Sequence, residues 1–463
     1  MLTEEIKKHQ AWYLALHIVL GTFMFSYSLG VLNTCADNVE GTLHWGNLRN
    51  LYIAIFSTCV PTGALLGSPL AGYLCDKFGR RGTLMYSDLI MILGSGLSVL
   101  PFNISFGIGR VICGISSGIF LATSPMFLNE ITPDALTSQL GPLVSISINS
   151  GFCVSYFFGL ILPTSNYHTD NMNYLWMFLF LFPASVSLYQ YFYFLLYMKY
   201  DSPKWYIDHG LKSRAEEALL SIYTEVGLEK GITRFEERES EMSVSKDDVK
   251  RPKITSFKDI VMKKKYRKMV RIGFMLGIIQ QISGINACLF FSTEIFKHIG
   301  GTIFVSRIYT CVMGIALLFG AVMAIPLLKM FDRKTLIISG EIFLMIICGV
   351  LGVFSDMIPN SIVALISINV YMLFFAYSLG AALWTYIGEV CSGKAISIAA
   401  FTNMFSTCII AVVFPFALEA LGISYAFFFF SFCMVISSIY CYIDLVPTKD
   451  KTKPEIKYSI YNR

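Results

Sequence analysis

Long apolar runs separated by short polar connections dominate this chain of 463 residues. Several runs lack Asp, Glu, Lys and Arg over more than the ~20 residues that a helix needs to cross a bilayer. The pattern therefore predicts an all-α membrane protein with twelve membrane-spanning helices, which we number as spans 1 to 12. Their predicted bounds are 11–34, 50–75, 83–101, 105–130, 139–162, 173–199, 268–297, 304–329, 335–355, 361–388, 395–419 and 422–446.

Residues 200–265 separate spans 6 and 7 and differ in character from the rest of the chain. Acidic and basic residues alternate there, and Leu211–Tyr223 has the apolar spacing of a short amphipathic helix. We therefore expect four regions: a six-helix bundle over residues 1–199, a helical linker over 200–265, a second six-helix bundle over 266–446 and a tail over 447–463.

The two bundles share a weak internal repeat. The segment Asp76–Arg81 after span 2 has a counterpart in Lys329–Lys334 after span 8, and Glu130 at the end of span 4 recurs as Glu389 at the end of span 10. Two similar halves with a site at their interface are typical of transporters that work by alternating access. The repeat thus predicts two pseudo-symmetric halves.

Basic residues mark one side of the membrane. Half of the 36 Lys and Arg residues lie between Lys199 and Arg271, and most others lie in short connections on the same side as the linker. Because positive charge favours the cytoplasmic side, we expect the linker and both termini to be cytoplasmic, as an even number of spans requires. The charge pattern fixes orientation rather than organelle, and our expectation is the plasma membrane.

Composition narrows the function classes. Hydrophobic residues make up 55% of the chain and charged residues only 14%, which excludes an ordinary soluble protein. The 12 cysteines show no paired or CxxC spacing, and no nucleophile–base pair, phosphate-binding glycine loop or metal cluster is recognisable. We therefore expect neither an enzyme nor an ATP-driven pump, no cofactor, metal or nucleic-acid partner, and function as a monomer in the lipid bilayer.

A short run of amides is the most informative feature inside an apolar segment. Gln280, Gln281 and Asn286 occupy seven residues in the middle of the uncharged stretch from Ile272 to Thr293. Lipid cannot hydrogen-bond an amide, so such groups face another helix or a water-filled cavity. A cavity lined by neutral amides suits a neutral, hydroxylated solute, and a sugar is the obvious candidate. The alternative is amide bonding between helices, which is common in membrane bundles.

Five motifs occur in order along the chain. They are Gly72-x3-Asp76-Lys-x-Gly79-Arg80-Arg81, Arg110-x3-Gly114-x3-Gly118 with Pro125-x-Phe127-x2-Glu130, Ser202-Pro-Lys-Trp205, Gln280–Asn286, and Trp384 with Glu389 and Asn403. In this order and spacing they resemble the sugar porter family of the major facilitator superfamily, and in particular its facilitative glucose transporters. The resemblance extends over essentially the whole chain and implies the twelve-helix fold and the transport of a sugar.

The resemblance also implies roles for uncharged residues. Sugar contacts are expected from six side chains, namely Gln280, Gln281, Asn286, Phe375, Trp384 and Asn403. The indole N–H of Trp384 can donate a hydrogen bond while its ring packs on the apolar face of a pyranose. Phe290 and Phe291 resemble an aromatic gate in the outer part of span 7, and the alternative is a plain aromatic packing pair.

Charged residues at span ends form a second candidate set. The resemblance implies that they latch the two halves together on the cytoplasmic side while the cavity faces outward. The set comprises Asp76, Arg80, Arg81, Glu130, Arg333, Lys334 and Glu389. Topology alone also explains the basic members, and Asp76 is additionally placed to cap a helix N-terminus. Arg110 lies within a span and needs a buried partner or water, as a functional residue or as a structural tie.

The chain departs from the resemblance at several positions. Proton-coupled relatives have an aspartate in span 1 where this chain has Ser28, which cannot titrate, so proton coupling is not expected. Polar or bulky family residues are also replaced at Ser145, Leu317, Ala376 and Met404, which predicts weaker or broader sugar selectivity. We therefore expect facilitated diffusion of a hexose, with D-glucose as the first candidate. The alternatives are a proton-coupled sugar or polyol symporter and a sugar sensor that does not transport.

Overall fold

The computed structural model describes residues 6–164, 174–224, 264–299, 301–357, 362–391, 393–449, 451, 455–456 and 459. Within these residues the fold is helical, and the only β pairing is an isolated bridge between Ile6 and Tyr223. The predicted linker is described over residues 200–224, which include two short helices, Pro203–Asp208 and Lys212–Leu220, and at residues 264–265, where the first helix of span 7 begins. The rest of the linker and most of the predicted tail lie outside the described residues.

Helices occupy all twelve of the predicted spans in the part of the chain that the structure describes. Their bounds are Lys8–Ile18 with Leu20–Leu43 (span 1), Arg49–Ser98 (spans 2 and 3), Asn103–Ile131 (span 4), Leu143–Gly159 (span 5), Leu175–Leu196 (span 6), Lys264–Ile282 with Ile285–His298 (span 7), Ile303–Met330 (span 8), Arg333–Met357 (span 9), Ile362–Phe375, Ala376–Ala382 and Leu383–Val390 (span 10), Gly393–Leu421 (span 11) and Ile423–Asp444 (span 12). The predicted order and fold class are confirmed.

The spans end alternately on two faces of the bundle. The terminal face contains the start of span 1 at Lys8 and the end of span 12 at Asp444, and the distal face contains Leu43 and Arg49. Span 1 continues to Leu43 rather than ending near residue 34, because the carboxylates of Asp37 and Glu40 form ion pairs on the distal face.

Gly79 divides the 50-residue helix Arg49–Ser98 into spans 2 and 3. Its φ of +76° is a left-handed value that favours glycine, and a Cβ there would lie 2.2 Å from the Asp201 carboxylate. That carboxylate accepts hydrogen bonds from the backbone N–H groups of Arg80 (2.8 Å) and Arg81 (2.9 Å). Asp201 therefore caps the N-terminus of span 3, where a negative charge suits the helix dipole.

Small residues allow neighbouring spans to approach closely. A Cβ added to Gly63 in span 2 would lie 2.2 Å from the carbonyl oxygen of Val111, and one added to Gly118 in span 4 would lie 2.3 Å from that of Ala64. Lipid tails are as apolar as the side chains, so the hydrophobic effect does not drive helices together in a bilayer. Close packing between helix backbones contributes to their association instead. The motif glycines of span 4 thus hold span 2 in place.

Candidate functional site

A break in span 7 positions the amide run. The inner helix ends at Ile282, Gly284 adopts φ +91°, and the outer helix begins at Ile285. A Cβ on Gly284 would lie 2.6 Å from the Phe430 ring, so both its conformation and its space require glycine. The break places the buried amides of Gln280 and Gln281 on one side and that of Asn286 on the other.

The four predicted amide side chains form two hydrogen-bonded pairs. Asn403 in span 11 donates through Nδ2 to Gln280 Oε1 at 2.6 Å, and Asn286 donates to Gln281 Oε1 at 2.5 Å. Gln280 Nε2 donates in turn to the carbonyl oxygen of Leu379 in span 10 at 2.8 Å. The structure therefore brings the amides of spans 7 and 11 together as one buried, uncharged cluster.

Thr407 is a member of this cluster that sequence reasoning missed. Its hydroxyl accepts a hydrogen bond from Asn286 Nδ2 at 3.1 Å and donates to the backbone carbonyl of Asn403 at 2.9 Å. The signal was available, because residues four apart share one face of a helix and Thr407 follows Asn403 by four. The hydroxyl extends the polar surface of span 11 by one turn.

Span 10 approaches the cluster through an irregular segment. Residues Ala376–Ala382 form a π-helix between two α-helical segments, and the Leu379 carbonyl that accepts from Gln280 lies inside it. Short π segments occur mostly inside α-helices and frequently at functional sites. Phe375 precedes the π segment, is buried, and stacks on Tyr371 with 6.3 Å between ring centroids. Trp384 follows the π segment and is half-buried.

The two predicted gate residues lie in the outer helix of span 7. Phe290 and Phe291 are both buried, with their rings 6.2 Å apart in an edge-to-face arrangement. Phe291 has a non-helical backbone (φ −132°) and stacks on Phe414 of span 11 at 5.5 Å. Phe291 thus packs on span 11, as a residue of either a gate or a packing pair would.

Span 1 is bonded to the outer helix of span 7 on the distal side. Asn33 Nδ2 donates to the Leu289 carbonyl at 2.9 Å and to Ser292 Oγ at 2.7 Å, and Asn33 Oδ1 accepts from Thr293 N–H at 3.1 Å. The hydroxyl of Tyr156 in span 5 donates to the same Leu289 carbonyl at 2.7 Å. These bonds join the two halves of the molecule.

Five charged side chains extend this junction, and we call them the distal ion network. Lys297 Nζ lies 2.6 Å from Asp37 and 3.1 Å from Glu294, while Arg49 contacts Glu294 at 2.7 Å, Glu40 at 2.7 Å and Asp37 at 3.1 Å. The network joins span 1 and the start of span 2 to span 7. The distal face is therefore closed across the interface between the halves.

The ion pairs that the described residues form on the terminal face each stay within one half. Arg80 Nη2 lies 2.7 Å from Glu130, and Arg333 Nη2, at the equivalent position of the internal repeat, lies 2.9 Å from Glu389. Arg81 donates to the carbonyl of Phe194. Among the residues that the structure describes, no ion pair joins the two halves on this face.

The other predicted latch residues make local contacts. Lys334 Nζ donates to the carbonyls of Tyr442 and Leu445 at 2.8 and 2.7 Å. Asp76 accepts a hydrogen bond from the Trp205 indole through its backbone carbonyl at 3.1 Å. Asp201, which the sequence analysis did not single out, makes the capping contacts instead; burial raises the pKa of its carboxyl, and backbone N–H donors oppose that rise.

Arg110 is fully buried in span 4. Its Nε donates to the Phe56 carbonyl at 2.9 Å, and its guanidinium carbon lies 5.9 and 5.6 Å from the rings of Phe106 and Phe180. Within the described part of the chain it has no carboxylate partner. Aromatic rings and one carbonyl thus stabilise the Arg110 charge.

Ser28 in span 1 is also buried, and within the described part of the chain its hydroxyl has no hydrogen-bond partner.

Comparison with known proteins identifies the family. A family model described as "Sugar (and other) transporter" matches residues 14–459, which is nearly the whole chain. The chain belongs to this family of sugar transporters. The resemblance drawn from the motifs is therefore confirmed, and the sugar transporter is a multi-pass membrane protein rather than an enzyme.

Curated relatives of the sugar transporter carry different sugars. It is 24% identical to the glucose transporter GlcP of Staphylococcus epidermidis over 452 residues, which cover 96% of each chain. It is 26% identical to facilitated glucose transporter member 1 of Gallus gallus, over 95% of this chain and 91% of the relative. The arabinose-proton symporter of Bacillus subtilis is 24% identical over 93% of this chain and 96% of its own length.

Solved structures confirm the fold of the sugar transporter. The inward open conformation of the xylose transporter XylE from E. coli superimposes with a TM-score of 0.79 at 22% identity, covering 97% of this chain and 99% of that one. A crystal structure described as a D-xylose-proton symporter gives a TM-score of 0.73 over 95% of this chain and 99% of the other.

Proposed function

We propose that the transporter moves a hexose, with D-glucose as the first candidate, by facilitated diffusion through alternating access of its two halves. The observation that supports this most is the buried, uncharged amide cluster of Gln280, Gln281, Asn286 and Asn403. Such a cluster offers donors and acceptors without a fixed charge, as a neutral polyhydroxyl solute requires. Relatives described as glucose transporters favour a hexose over other neutral solutes.

The arrangement of the amides suits weak, reversible binding. The pairs in the cluster hold each side chain in a defined orientation before the sugar arrives, which lowers the entropy cost of binding. Each hydrogen bond to a hydroxyl adds only about 0.5–1.5 kcal/mol, because it replaces a bond to water. A handful of such bonds gives an affinity low enough for release on the other side. Phe375 and Trp384, on either side of the π segment, supply apolar surface for the ring.

The closed distal face and the expected orientation of the chain in the membrane together suggest which way the cavity faces. With both termini in the cytoplasm, as the basic residues favour, the distal ion network lies outside, and the structure is closed outward and faces inward. The cytoplasmic pairs Arg80–Glu130 and Arg333–Glu389 are then the members of a latch that is open between the halves. We place this orientation in the plasma membrane, with one chain forming a complete site.

Uniport is supported by the chemistry of span 1. Ser28 cannot exchange a proton, and the described carboxylates of this span, Asp37 and Glu40, are engaged in the distal ion network. Proton-coupled symport is the second candidate, because Asp88 and Glu341 are fully buried carboxyl groups in spans 3 and 9. The likeness to an arabinose-proton symporter adds to that candidate.

Uptake into proteoliposomes tests both candidates. Radiolabelled D-glucose is offered with L-glucose as the stereochemical control, with and without an imposed proton gradient. Uniport predicts that D-glucose equilibrates faster than L-glucose and never exceeds the outside concentration, whatever the gradient. Accumulation driven by the gradient would establish symport instead. The absence of any D-over-L preference would refute glucose as the substrate, and a binding assay with the same two sugars would then test the sensor alternative.

A further inference from the structure

We propose that Asp88 in span 3 and Glu341 in span 9 are an equivalent pair of proton-binding sites, one in each half of the transporter. In both places the carboxyl group is a neutral acid that faces a serine in the sixth span of its own half, span 6 or span 12. The inference goes beyond the proposed function, because it does not depend on which solute is carried.

The internal repeat places the two carboxyl groups at the same position. Arg80 and Arg333 are equivalent, since each pairs with the glutamate at the end of the fourth span of its half. Asp88 follows Arg80 by eight residues, and Glu341 follows Arg333 by eight residues. Both intervals are helical, so each carboxyl group lies about 12 Å further along its span than the arginine. The two halves therefore carry an acidic residue at a matched depth.

Both side chains are enclosed without the donors that a carboxylate needs. Asp88 and Glu341 are each 0% exposed. Among the described residues, neither oxygen of Asp88 has a hydrogen-bond partner, and Oε2 of Glu341 has none. Burying a charge without a partner costs far more free energy than burying a neutral acid, so a buried carboxyl group in these surroundings holds its proton.

Glu341 receives hydrogen bonds on one oxygen only. Its Oε1 accepts from Ser437 Oγ and, at 3.5 Å, from Cys441 Sγ, both in span 12. Ser438 also interacts with this carboxyl group, but its hydroxyl donates to the Met434 carbonyl at 2.8 Å. A hydroxyl has a single hydrogen, so Ser438 can only accept from Glu341. The hydrogen of that contact has to come from Oε2.

Asp88 faces the same kind of partner in span 6. Ser187 interacts with its carboxyl group, but the Ser187 hydroxyl donates to Met24 Sδ at 2.9 Å. Gln190 shares the face of Ser187 three residues later. Its Nε2 donates to the His17 carbonyl at 2.6 Å, and its enclosed Oε1 has no donor among the described residues. Span 6 thus offers acceptors whose hydrogens are already used, and the donor is Asp88.

Ionisable groups on the packed spans have partners of their own. In the N-terminal half, His17 uses one ring nitrogen at the Tyr13 carbonyl (2.7 Å) and the other at the Tyr189 hydroxyl (2.8 Å). In the C-terminal half, Lys334 donates to two carbonyls of span 12, and the Asp444 carboxylate forms an ion pair at 2.8 Å. Thiol and phenol groups, which carry no charge near neutral pH, include those of Cys113, Tyr193, Tyr377 and Cys441.

The location of the pair separates proton binding from proton coupling. Asp88 and its serine belong to spans 3 and 6, and Glu341 and its serines belong to spans 9 and 12. The contacts across the interface described above involve spans 1, 2, 5 and 7 instead. Each proton therefore joins two helices of one half and stays bound while the halves rock.

Infrared difference spectroscopy tests the protonation directly, because the carbonyl band of a carboxylic acid is resolved from the bands of a carboxylate. Asp88→Asn and Glu341→Gln are each expected to lose one acid band relative to wild type at neutral pH. Glu40→Gln is the matched control, since Glu40 pairs with Arg49 at 2.7 Å and its removal is expected to delete a carboxylate band. Loss of a carboxylate band instead of an acid band in Asp88→Asn or Glu341→Gln would overturn the inference.

Thermal melting in detergent gives an independent measurement. Unfolding exposes the two carboxyl groups to water, where each releases its proton above pH ~4 and raises the unfolding equilibrium constant about tenfold per pH unit. Wild type is therefore expected to melt at a lower temperature as the pH rises from mildly acidic to neutral. The double variant Asp88→Asn with Glu341→Gln keeps a donor in both places and releases no proton, so its melting temperature is expected to fall less. An equal fall in both proteins would contradict the proposal.

Uptake into proteoliposomes distinguishes bound protons from transported ones. The double variant and wild type are both expected to prefer D-glucose over L-glucose and to ignore an imposed proton gradient. Gradient-driven accumulation that occurs in wild type and is lost in the double variant would overturn the inference, since the two carboxyl groups would then carry the transported proton. Absence of any D-over-L preference in wild type would overturn the proposed function instead and leave the infrared result standing.

Discussion

Replacing Lys297 with glutamine is expected to open the distal face. The change removes the contacts of Lys297 Nζ with Asp37 (2.6 Å) and Glu294 (3.1 Å), while both carboxylates keep Arg49. The side chains of Lys297, Asp37 and Glu294 are only 12–19% exposed. The free energy of their pairing therefore lies between that of a surface ion pair and that of a desolvated interface pair, at about 1–2 kcal/mol. If that stabilisation exists only in the closed state, the ratio of closed to open molecules falls about fivefold to thirtyfold.

Spin-label distance measurements check this directly. Leu48 and Phe304 are exposed residues beside the distal face on opposite halves and are suitable sites for a label after substitution by cysteine. Lys297→Gln is expected to add a population at longer distance. Arg271→Gln is the matched control, because it removes the Arg271–Asp444 pair, which lies within the C-terminal half and on the terminal face.

The conservative variant Lys297→Arg, which keeps a positive charge between Asp37 and Glu294, is expected to retain most of the short-distance population. An unchanged distance distribution in Lys297→Gln would refute the reasoning, since the ion pairs would then not favour the closed state. A shift of the same size in Arg271→Gln would refute it as well, because any charge loss would then suffice.

Three further predictions concern the amide cluster, the helix break and the latch. Gln281→Leu is expected to reduce D-glucose uptake sharply at unchanged protein level; retained uptake would place the site elsewhere. Gly284→Ala forces a side chain into φ +91° and is expected to lower thermal stability in detergent, whereas Gly96→Ala, in open space, is not. Glu130→Gln leaves the buried Arg80 without its carboxylate and is expected to cost about 3 kcal/mol of unfolding free energy, again read from thermal melting; an unchanged melting temperature would contradict it.

Hydropathy predicted the spans because the bilayer requires long apolar helices, and a long apolar helix can be recognised from consecutive residues alone. It failed at the end of span 1, where charged residues looked like a boundary. Asp37 and Glu40 continue the helix because their partners come from Arg49 and from Lys297, more than 250 residues away. A local pattern does not contain such a partner.

The candidate site also contains some features that the sequence predicted and others that it did not. The amides of span 7 were recognisable because polar groups in an apolar run are costly. The capping role of Asp201 was not, since it depends on the turn at Gly79 meeting the chain after span 6. The π segment of span 10 is uncharged, and its sequence gives no sign of an extra residue per turn.

That π segment bears on how span 10 tolerates changes in length. Before the π segment, Tyr371 donates to the Ser283 carbonyl of span 7 at 2.9 Å, and after it Glu389 pairs with Arg333 at 2.9 Å. These two contacts anchor span 10 on either side of the π segment. A π turn holds one residue more than an α turn, so span 10 stores a spare residue between two anchors. Deleting one residue from Ala376–Ala382 is thus expected to convert the turn and spare both anchors. The same deletion in the regular helix of span 8 would turn every later side chain by about 100°.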